Sequence, residues 1–243
     1  MTSLMKLYLL QLALKPDNGV PVPGYVIQTT HENILVDTGL PKSFIANANA
    51  TQSDPFGWVM QEEDYVVNRL ATIGLMPKDI RYVVCTHLDP DHAGNHDAFP
   101  KAEFIIQRKH YEFAKKSEMQ RFTLTKTQWD DARLRYRLID GDTELVPGVE
   151  LIESSGHVPG HQSVLVRLAH TGPALLTIDA ITRSTMTDAD TRHVASYDMN
   201  EADTRASTRK LMALAEREEV KLIVFGHDGQ QWTTLKRAPG NYE

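Results

Sequence analysis

Four residues whose side chains bind transition metals stand within the short stretch 87–92. They are His87, Asp89, Asp91 and His92, and imidazole and carboxylate groups are common protein ligands of divalent transition metals. The apolar and β-branched run 82–85 leads directly into them, which is typical of a buried strand that ends in a polar loop. The alternative is a solvated acidic loop with incidental histidines. So many ligands directly behind a buried strand favour a metal site.

The same arrangement, a strand followed by a metal-binding side chain, recurs three more times along the chain. His157 follows the strand predicted at 149–153, Asp179 follows 174–178, and His227 follows 221–225. A carboxylate directly behind an apolar strand, as at Asp179, needs a partner because a buried unpaired charge is costly. The whole set is too large for one zinc ion, and it suits two metals that share a carboxylate.

The elements that must position these residues follow two different patterns. Short strands with tight connections open the chain and predict an antiparallel sheet, whereas later segments alternate strand and helix. Strands are expected at 5–14, 25–30, 33–36, 81–85, 102–107, 149–153, 164–168, 174–178 and 221–225, and helices at 62–74, 109–116 and 201–219. Both kinds of strand pairing are therefore predicted, and the polar segment 117–137 is interpreted as a peripheral excursion.

Length, charge and cysteine usage exclude several classes of protein. The 243 residues suffice for one large domain or two small ones. The net charge of −6, with no Lys/Arg cluster, argues against nucleic acid or an anionic membrane as a partner. Cys85 is the single cysteine, so no internal disulfide is possible, and we expect it to be a small buried hydrophobe. With no apolar run long enough to cross a bilayer and no signal-peptide cleavage site, a cytoplasmic location is expected.

In their order, these motifs resemble the metallo-β-lactamase superfamily. That family carries H-x-H-x-D-H, then a glycine-flanked histidine, an aspartate behind an apolar strand, and a histidine behind the last strand. The segments GHVPGHQS, LLTIDA and IVFGHD are most similar to the N-acyl-homoserine lactonase branch, the quorum-quenching lactonases. The resemblance implies an α/β (α+β) fold, with residues 1–243 forming one domain. This fold is a four-layer αββα sandwich of two mixed β-sheets flanked by helices.

The resemblance also assigns the metal ligands. His87, Asp89 and His157 match the first metal site, and Asp91, His92 and His227 match the second, with Asp179 as the bridge between them. Two divalent ions are implied, with zinc as the first expectation and iron, manganese or cobalt as alternatives.

Two positions depart from the lactonase pattern. Asp89 replaces the middle histidine of the motif, and Thr182 stands where the lactonases usually carry a tyrosine that contacts the substrate carbonyl. Tyr197, farther along the chain, is a candidate to replace that tyrosine. A substitution Asp89→His is expected to retain the fold and to raise zinc affinity at the first site.

The implied activity is the opening of a lactone, with an N-acyl-homoserine lactone as one candidate. A hydroxide bridging the metals would attack the ester carbonyl, since metal coordination lowers the pKa of water. Asp91 would carry the proton to the leaving oxygen, so Asp91 and Asp179 are the predicted catalytic residues. Another hydrolase of this fold, acting on an ester, thioester, phosphoester or amide, is one alternative. A non-hydrolytic di-iron redox or metal-binding protein is the other.

Other side chains are candidates for contacting the substrate or supporting the site. The predicted substrate contacts are Phe44, Trp58, Thr182, Met186 and Tyr197, and the irregular segment 40–61 is either a lid or padding over the core.

Asp37 either supports the site or is a turn residue. Among the remaining histidines, His31, His110 and His170 are expected at the surface, His96 and His161 are open between structure and support, and His193 is a possible substrate contact. The partner is a small-molecule substrate, and the chain is a monomer or a homodimer.

Overall fold

The first half of the chain forms a six-stranded mixed sheet. The computed structural model describes residues 5–45 and 57–243. The strands are β1 (Lys6–Leu14), β2 (Pro21–Gln28), β3 (Asn33–Val36), β4 (Ile80–Val84), β5 (Glu103–Gln107) and β6 (Arg135–Ile139), in that spatial order. The first three pair antiparallel, and β3 to β6 pair parallel. The change from an antiparallel opening to an αβ rhythm was correctly predicted.

The second half forms a five-stranded sheet that faces the first. Its strands are β7 (Thr143–Val146), β8 (Val149–Glu153), β9 (Gln162–Leu168), β10 (Gly172–Ile178) and β11 (Leu222–Phe225), in the spatial order β11-β10-β9-β8-β7. Only the β10–β11 pair is parallel, because a helical crossover joins these two strands.

Alternation along the strands divides the apolar core into layers. Leu7 and Leu9 of β1 point into the cluster between the two sheets, whereas Leu10 and Leu12 point into a cluster on the outer face of the first sheet. The inter-sheet cluster draws on both sheets, with Val36 and Val84 facing residues such as Val164 and Leu176. One fully buried core therefore holds the sheets face to face.

Helices cover the two outer faces. Helix α1 (Val66–Ala71) buries Val66 and Leu70 against the first sheet. Helix α6 (Glu201–Arg217) buries Leu211, Leu214 and Ala215 against the second sheet, at the i, i+3, i+4 spacing of one helix face. The layers run helix, sheet, sheet, helix, which confirms the predicted αββα sandwich.

The remaining helices are short, and two predictions about the helical segments need correction. They are α2 (Pro90–Ala93), α3 (Arg108–Lys116), α4 (Gln120–Thr123), α5 (Lys126–Trp129) and α7 (Gly229–Trp232). The α-helix predicted at 62–74 is shorter than expected. A 3₁₀ turn at Glu62–Asp64 precedes it, and the α-helix itself is the six-residue α1. The segment 117–137 is not a peripheral excursion, because Phe122 and Trp129 are buried in one cluster with Cys85 and Leu88. This segment therefore packs beneath the loop that carries the metal-binding motif, and Cys85 is the buried hydrophobe that was expected.

None of the helices in the described part of the chain is both long enough and apolar enough to cross a membrane.

Candidate metal centre

Strand ends from both sheets deliver the predicted ligands to one place. His87 lies just past β4 of the first sheet, and His157, Asp179 and His227 lie just past β8, β10 and β11 of the second. The structure groups six of the side chains into two trios, and within each trio the ligand atoms lie within 4.8 Å of one another. The first trio is His87, His157 and Asp179; the second trio is Asp91, His92 and His227.

Asp179 belongs to the first trio, but it turns one carboxylate oxygen toward the histidines of each trio. Its Oδ1 is 3.1 Å from Nε2 of His227 and 3.6 Å from Nε2 of His92. Its Oδ2 is 3.5 Å from Nε2 of His157 and 3.9 Å from Nε2 of His87. A carboxylate in this position can bridge two cations, which is the geometry that the sequence resemblance implied.

The unpaired atoms at this centre fit metal ions. Among the residues that the structure describes, Nε2 of His87, Nε2 of His92 and Oδ1 of Asp179 are buried without a hydrogen-bond partner. Buried polar atoms are normally satisfied, so an unpaired set aimed at one point needs an explanation. Imidazole nitrogens and carboxylate oxygens suit zinc, iron, manganese and cobalt. The residues therefore fit divalent cations.

The other nitrogen of each candidate histidine ligand holds its ring in place. Nδ1 of His87 donates to Oγ1 of Thr86 at 3.0 Å, and Nδ1 of His227 donates to the carbonyl of Pro21 at 2.8 Å. Nδ1 of His92 donates to Asp37 at 2.7 Å, and Nδ1 of His157 donates to Asp198 at 3.0 Å. In the neutral rings these contacts place the proton on Nδ1, so that each Nε2 can present a lone pair to the centre.

Asp37, which the sequence left open, supports the site. Its carboxylate accepts from the ring of His92 and also from the backbone N–H and the hydroxyl of Thr86, at 2.9 and 2.7 Å. Burial raises the pKa of this carboxyl, while His92 and Thr86 act in the opposite direction. Asp37 also adopts a φ of +60°, a conformation that aspartate tolerates better than most residues.

A second backbone irregularity lies at the residue immediately before Asp179. Ile178 has a φ of +51°, which is unusual for a β-branched side chain and costs about 1–3 kcal/mol. A Cβ at Gly226, at the end of β11, would lie 2.3 Å from the carbonyl oxygen of Ile178, so only glycine permits this approach. The strained turn and the close contact bring Asp179 to the same point as His227.

The carboxylates at the centre favour positive charge there. Burial acts to lower the pKa of His92, but Asp91, Asp179 and Asp37 outweigh it and raise that pKa well above its usual range. Burial likewise opposes the effect of Asp198 and Asp89 on His157, yet its pKa rises to about 9. The carboxylates around the centre therefore favour positive charge there, which is the charge that divalent cations would supply.

Asp89 lies beside the first trio but is paired with an arginine that the sequence interpretation did not consider. Its Oδ2 is 3.5 Å from Nε2 of His87 and 3.1 Å from Nε2 of His157. Both of its oxygens also accept from Arg121, at 2.8 and 2.5 Å. Burial acts to raise the pKa of Asp89, but His87, His157 and Arg121 hold it well below its usual range. Its role as a metal ligand remains a prediction.

A cavity of about 430 Å³ opens over the metal centre. Its wall includes three of the five predicted substrate contacts, Trp58, Thr182 and Tyr197. The other lining residues are Lys15, Asn18, Val20, Asp89, Pro90, Asp91, Arg121, His157, Asp179, Arg183 and His227. Lys15 and Arg183 were not anticipated, because nothing in their local sequence marks them.

The other two predicted contacts lie elsewhere. Phe44 packs against the apolar cluster on the outer face of the first sheet, and Met186 packs against the cluster beneath α6. Neither is among the described residues that line the cavity. Of the segment 40–61 that was interpreted as a lid or as padding, residues 46–56 fall outside the described residues.

The expectation that His110 lies at the surface was wrong. His110 is fully buried, and its Nε2 accepts from the backbone N–H of Leu88 at 2.8 Å while its Nδ1 donates to the carbonyl of Pro159 at 2.9 Å. The ring thus joins the loop of the H-x-D-x-D-H motif to the loop that carries His157. His31 and His170 are exposed as expected.

The histidines that the sequence left open have different positions. His161 is a support, because its Nε2 accepts from the backbone N–H of Asp179 at 3.2 Å. His96 is buried away from the two trios, with its Nδ1 3.0 Å from the hydroxyl of Tyr136. His193 is exposed and is not among the described residues that line the cavity.

His96 is expected to make the protein sensitive to acid. Burial lowers the pKa of this histidine from 6.5 to about 3. Because the unfolded chain then binds a proton that the folded chain does not, stability is fully present above about pH 6.5 and declines toward pH 3, by about 1.4 kcal/mol per pH unit. In His96→Asn, whose amide can still donate to Tyr136, urea unfolding between pH 4 and 8 should show a correspondingly smaller decline. Parallel curves for the two proteins would contradict this, and the exposed substitution His31→Asn is the control.

The fold and the site define the class of protein. The family model of the metallo-beta-lactamase superfamily matches residues 17–227, and the chain belongs to this superfamily. The resemblance inferred from the sequence motifs is thereby confirmed.

Within the superfamily, several of the similar proteins are lactonases. An N-acyl homoserine lactonase of Bacillus sp is 37% identical over 228 residues, which cover 90% of this chain and 86% of the relative. The N-acyl homoserine lactonase AiiA of Bacillus thuringiensis subsp. kurstaki is 38% identical over 229 residues, with the same coverage of 90% and 86%. A solved N-acyl homoserine lactone hydrolase, with the product N-hexanoyl-L-homoserine bound at the catalytic metal center, has a TM-score of 0.82 at 32% identity. That match covers 99% of this chain and 100% of the other.

Proposed function

We propose that this protein is a metal-dependent lactonase that opens N-acyl-homoserine lactones. The observation that carries the proposal is the shared position of Asp179 between two ligand trios on the floor of a cavity. The similarity to N-acyl homoserine lactonases over nine-tenths of the chain supports the substrate class. Since both sheets contribute ligands to one centre, we also propose that the chain acts as a single domain.

The residues of the chain divide the chemical tasks. When bound, divalent cations lower the pKa of water and polarise an ester carbonyl, and zinc is our proposal for them. Asp91 lines the cavity, and its carboxylate lies 3.5 Å from Nε2 of His92 and 3.6 Å from Nε2 of His227. At that position it is placed to accept a proton from the attacking water and to return it to the leaving ring oxygen.

Tyr197 is our candidate for orienting the lactone carbonyl. It lines the cavity together with Thr182. The ring of Tyr197 lies 5.6 Å from the ring of His157. We infer that Tyr197 replaces the tyrosine that the lactonases usually carry at the position of Thr182.

Apolar side chains in the cavity lining can hold the acyl part. Trp58 and Val20 line the cavity, and the ring of Trp58 lies 5.3 Å from the ring of His227. Burying methylene groups against such side chains yields about 0.8 kcal/mol per group. The cavity of about 430 Å³ is within the range of small-molecule sites.

A substrate panel tests the proposal. Purified protein loaded with zinc is assayed against N-hexanoyl- and N-decanoyl-homoserine lactone, γ-butyrolactone, p-nitrophenyl acetate and paraoxon, and chelator-treated protein is the blank. We expect kcat/KM for the acyl-homoserine lactones to exceed that for the other substrates by about 100-fold or more, a difference of about 2.7 kcal/mol in transition-state binding. Faster turnover of paraoxon than of any lactone would reject the lactonase proposal. Bound iron together with oxygen consumption would favour a redox protein.

A further inference from the structure

The guanidinium of Arg121 occupies the side of the metal centre where the first trio lies. Arg121 is in α4, and its side chain is 14% exposed. Its Nε and Nη2 donate to the two oxygens of Asp89, and its Nη1 donates to the carbonyl of Tyr197 at 2.7 Å. Its Nη2 also lies 2.8 Å from Nε2 of His157. One partly buried cation therefore contacts three separate parts of the site.

The contact with Asp89 uses the whole carboxylate. A planar guanidinium that donates to both oxygens matches the carboxylate in a fixed geometry, and such pairs are stronger than single charge-assisted bonds. Each oxygen has a second lone pair, but a metal ion that used it would lie beside the guanidinium. Two cations at one carboxylate repel each other, and this repulsion weakens the binding of the metal. The position of Asp89 therefore fits a partner of Arg121 better than a metal ligand.

The contact with His157 concerns the atom that a metal would need. In the neutral ring, which is the form that binds a metal, Nδ1 of His157 donates to Asp198 and Nε2 carries the lone pair. The N–H of Arg121 points at that lone pair, and a metal at the first trio must use it as well. Arg121 and a metal ion therefore compete for one nitrogen.

Among the described residues, no arginine or lysine makes such a contact with the second trio. In residues 5–45 and 57–243, the ion pairs of Asp91 are with His92 and His227 alone. Nε2 of His92 is buried without a hydrogen-bond partner in that same part of the chain, as is Nε2 of His87, so the difference between the trios is the contact of Arg121 with His157. The two trios are therefore expected to differ in their affinity for a divalent cation.

We propose that Arg121 is an internal cation that makes the two metal sites unequal. The second trio, together with Oδ1 of Asp179, takes the first divalent ion, and the first trio takes an ion only by displacing Arg121 from His157. This inference rests on the metal-binding part of the proposed function. Its test measures metal binding alone, so a failure of lactone hydrolysis and a failure of this inference are distinguishable.

Zinc titration of metal-free protein against a chromophoric chelator tests the proposal. The wild-type chain should bind two equivalents in two classes that differ at least about tenfold in affinity. In Arg121→Met, which keeps an apolar side chain but lacks the donors, the weaker class should tighten by about 10- to 100-fold. The tighter class should stay within about twofold, which corresponds to about 0.4 kcal/mol.

Further variants assign the two classes and keep the test decisive. His227→Ala should remove the tighter class, and His87→Ala should remove the weaker one. Arg108→Met is the matched control, because Arg108 forms an arginine–carboxylate pair with Asp140 at 3.1 Å on the exposed surface. Should Arg121→Met fail to fold, Arg121→Lys, which cannot span both Asp89 and His157, is expected to tighten the weaker class by a smaller amount.

Several results would overturn the proposal. These are a single affinity for both equivalents in the wild type, an unchanged weaker class in Arg121→Met, and a loss of both classes in that variant when it is folded. The substitution Asp89→His adds a coupled test. As long as Arg121 remains, its guanidinium competes with the metal ion for the nitrogen of the added imidazole. The affinity gained from Asp89→His should therefore be larger with Arg121→Met present than without it, and equal gains would contradict the inference.

Discussion

The Asp179→Asn variant is expected to lose lactone hydrolysis by about 10³-fold or more and to bind at most one metal ion tightly. Each carboxylate oxygen of Asp179 faces one trio, at 3.1 Å from His227 and 3.5 Å from His157. Asparagine offers one neutral oxygen, and its amide group would direct hydrogens toward cations on the other side. The variant changes few atoms, so the loss would come from the missing charge and the missing bridge rather than from packing.

Two measurements on the same preparation check this expectation. The first is kcat/KM for N-hexanoyl-homoserine lactone with zinc in excess, and the second is the metal content after desalting. Asp140→Asn is the control, because Asp140 is exposed and pairs only with Arg108 among the described residues. A variant that retains two ions and the wild-type rate would show that Asp179 is not the bridge.

The candidate ligands could be predicted from the sequence because strand ends are local features. The apolar runs of β4, β8, β10 and β11 are each followed within a few residues by a histidine or an aspartate. A sandwich brings the ends of these strands to one edge. Ligand positions at His87, His157, Asp179 and His227 follow from that rule with no knowledge of distant contacts. The layer order was implied by the family resemblance, and the change between antiparallel and αβ segments agreed with it.

The groups that hold those ligands could not be predicted in the same way. Asp198 and Arg121 lie in irregular or polar segments, and their partners are 41 and 32 residues away in the chain. The segment 117–137 was interpreted as peripheral because most of its residues are charged or polar. Its two aromatic residues Phe122 and Trp129 are nevertheless buried in one cluster with Cys85 and Leu88, beneath the loop that carries the metal-binding motif. Those scattered aromatics were the one available signal that the segment packs against the core.

His110 is the other residue whose role depends on distant contacts. Its immediate neighbours, Arg108 and Lys109, are charged and exposed, so local composition indicates a surface position. Its actual partners, Leu88 and Pro159, are 22 and 49 residues away. A Cβ at Gly160 would lie 2.7 Å from the backbone nitrogen of His110, so this glycine is what allows the loop of His157 to approach α3. The glycines around His157 were recognised in the sequence, but not the residue that they approach.

Replacing His110 with alanine is expected to destabilise the metal-free protein by about 3–5 kcal/mol. The substitution leaves the N–H of Leu88 and the carbonyl of Pro159 buried without their partner, at about 1–3 kcal/mol for each unpaired group. It also opens a cavity where the ring was. Because Leu88 stands between His87 and Asp89, the loosened loop should also retain metal less well, by about 10-fold or more.

Graded substitutions separate the hydrogen bonds from the volume of the ring. His110→Gln can still accept from Leu88, and His110→Asn can still donate to Pro159, so each should recover part of the stability lost in His110→Ala. His110→Phe fills the space without either bond and should recover the cavity contribution alone. Urea unfolding without metal avoids the stabilisation that bound ions add by mass action, and the exposed substitution His170→Ala is the control. If His110→Phe were as stable as the wild type, the ring would act by packing only, and its link between the two metal-binding loops would be excluded.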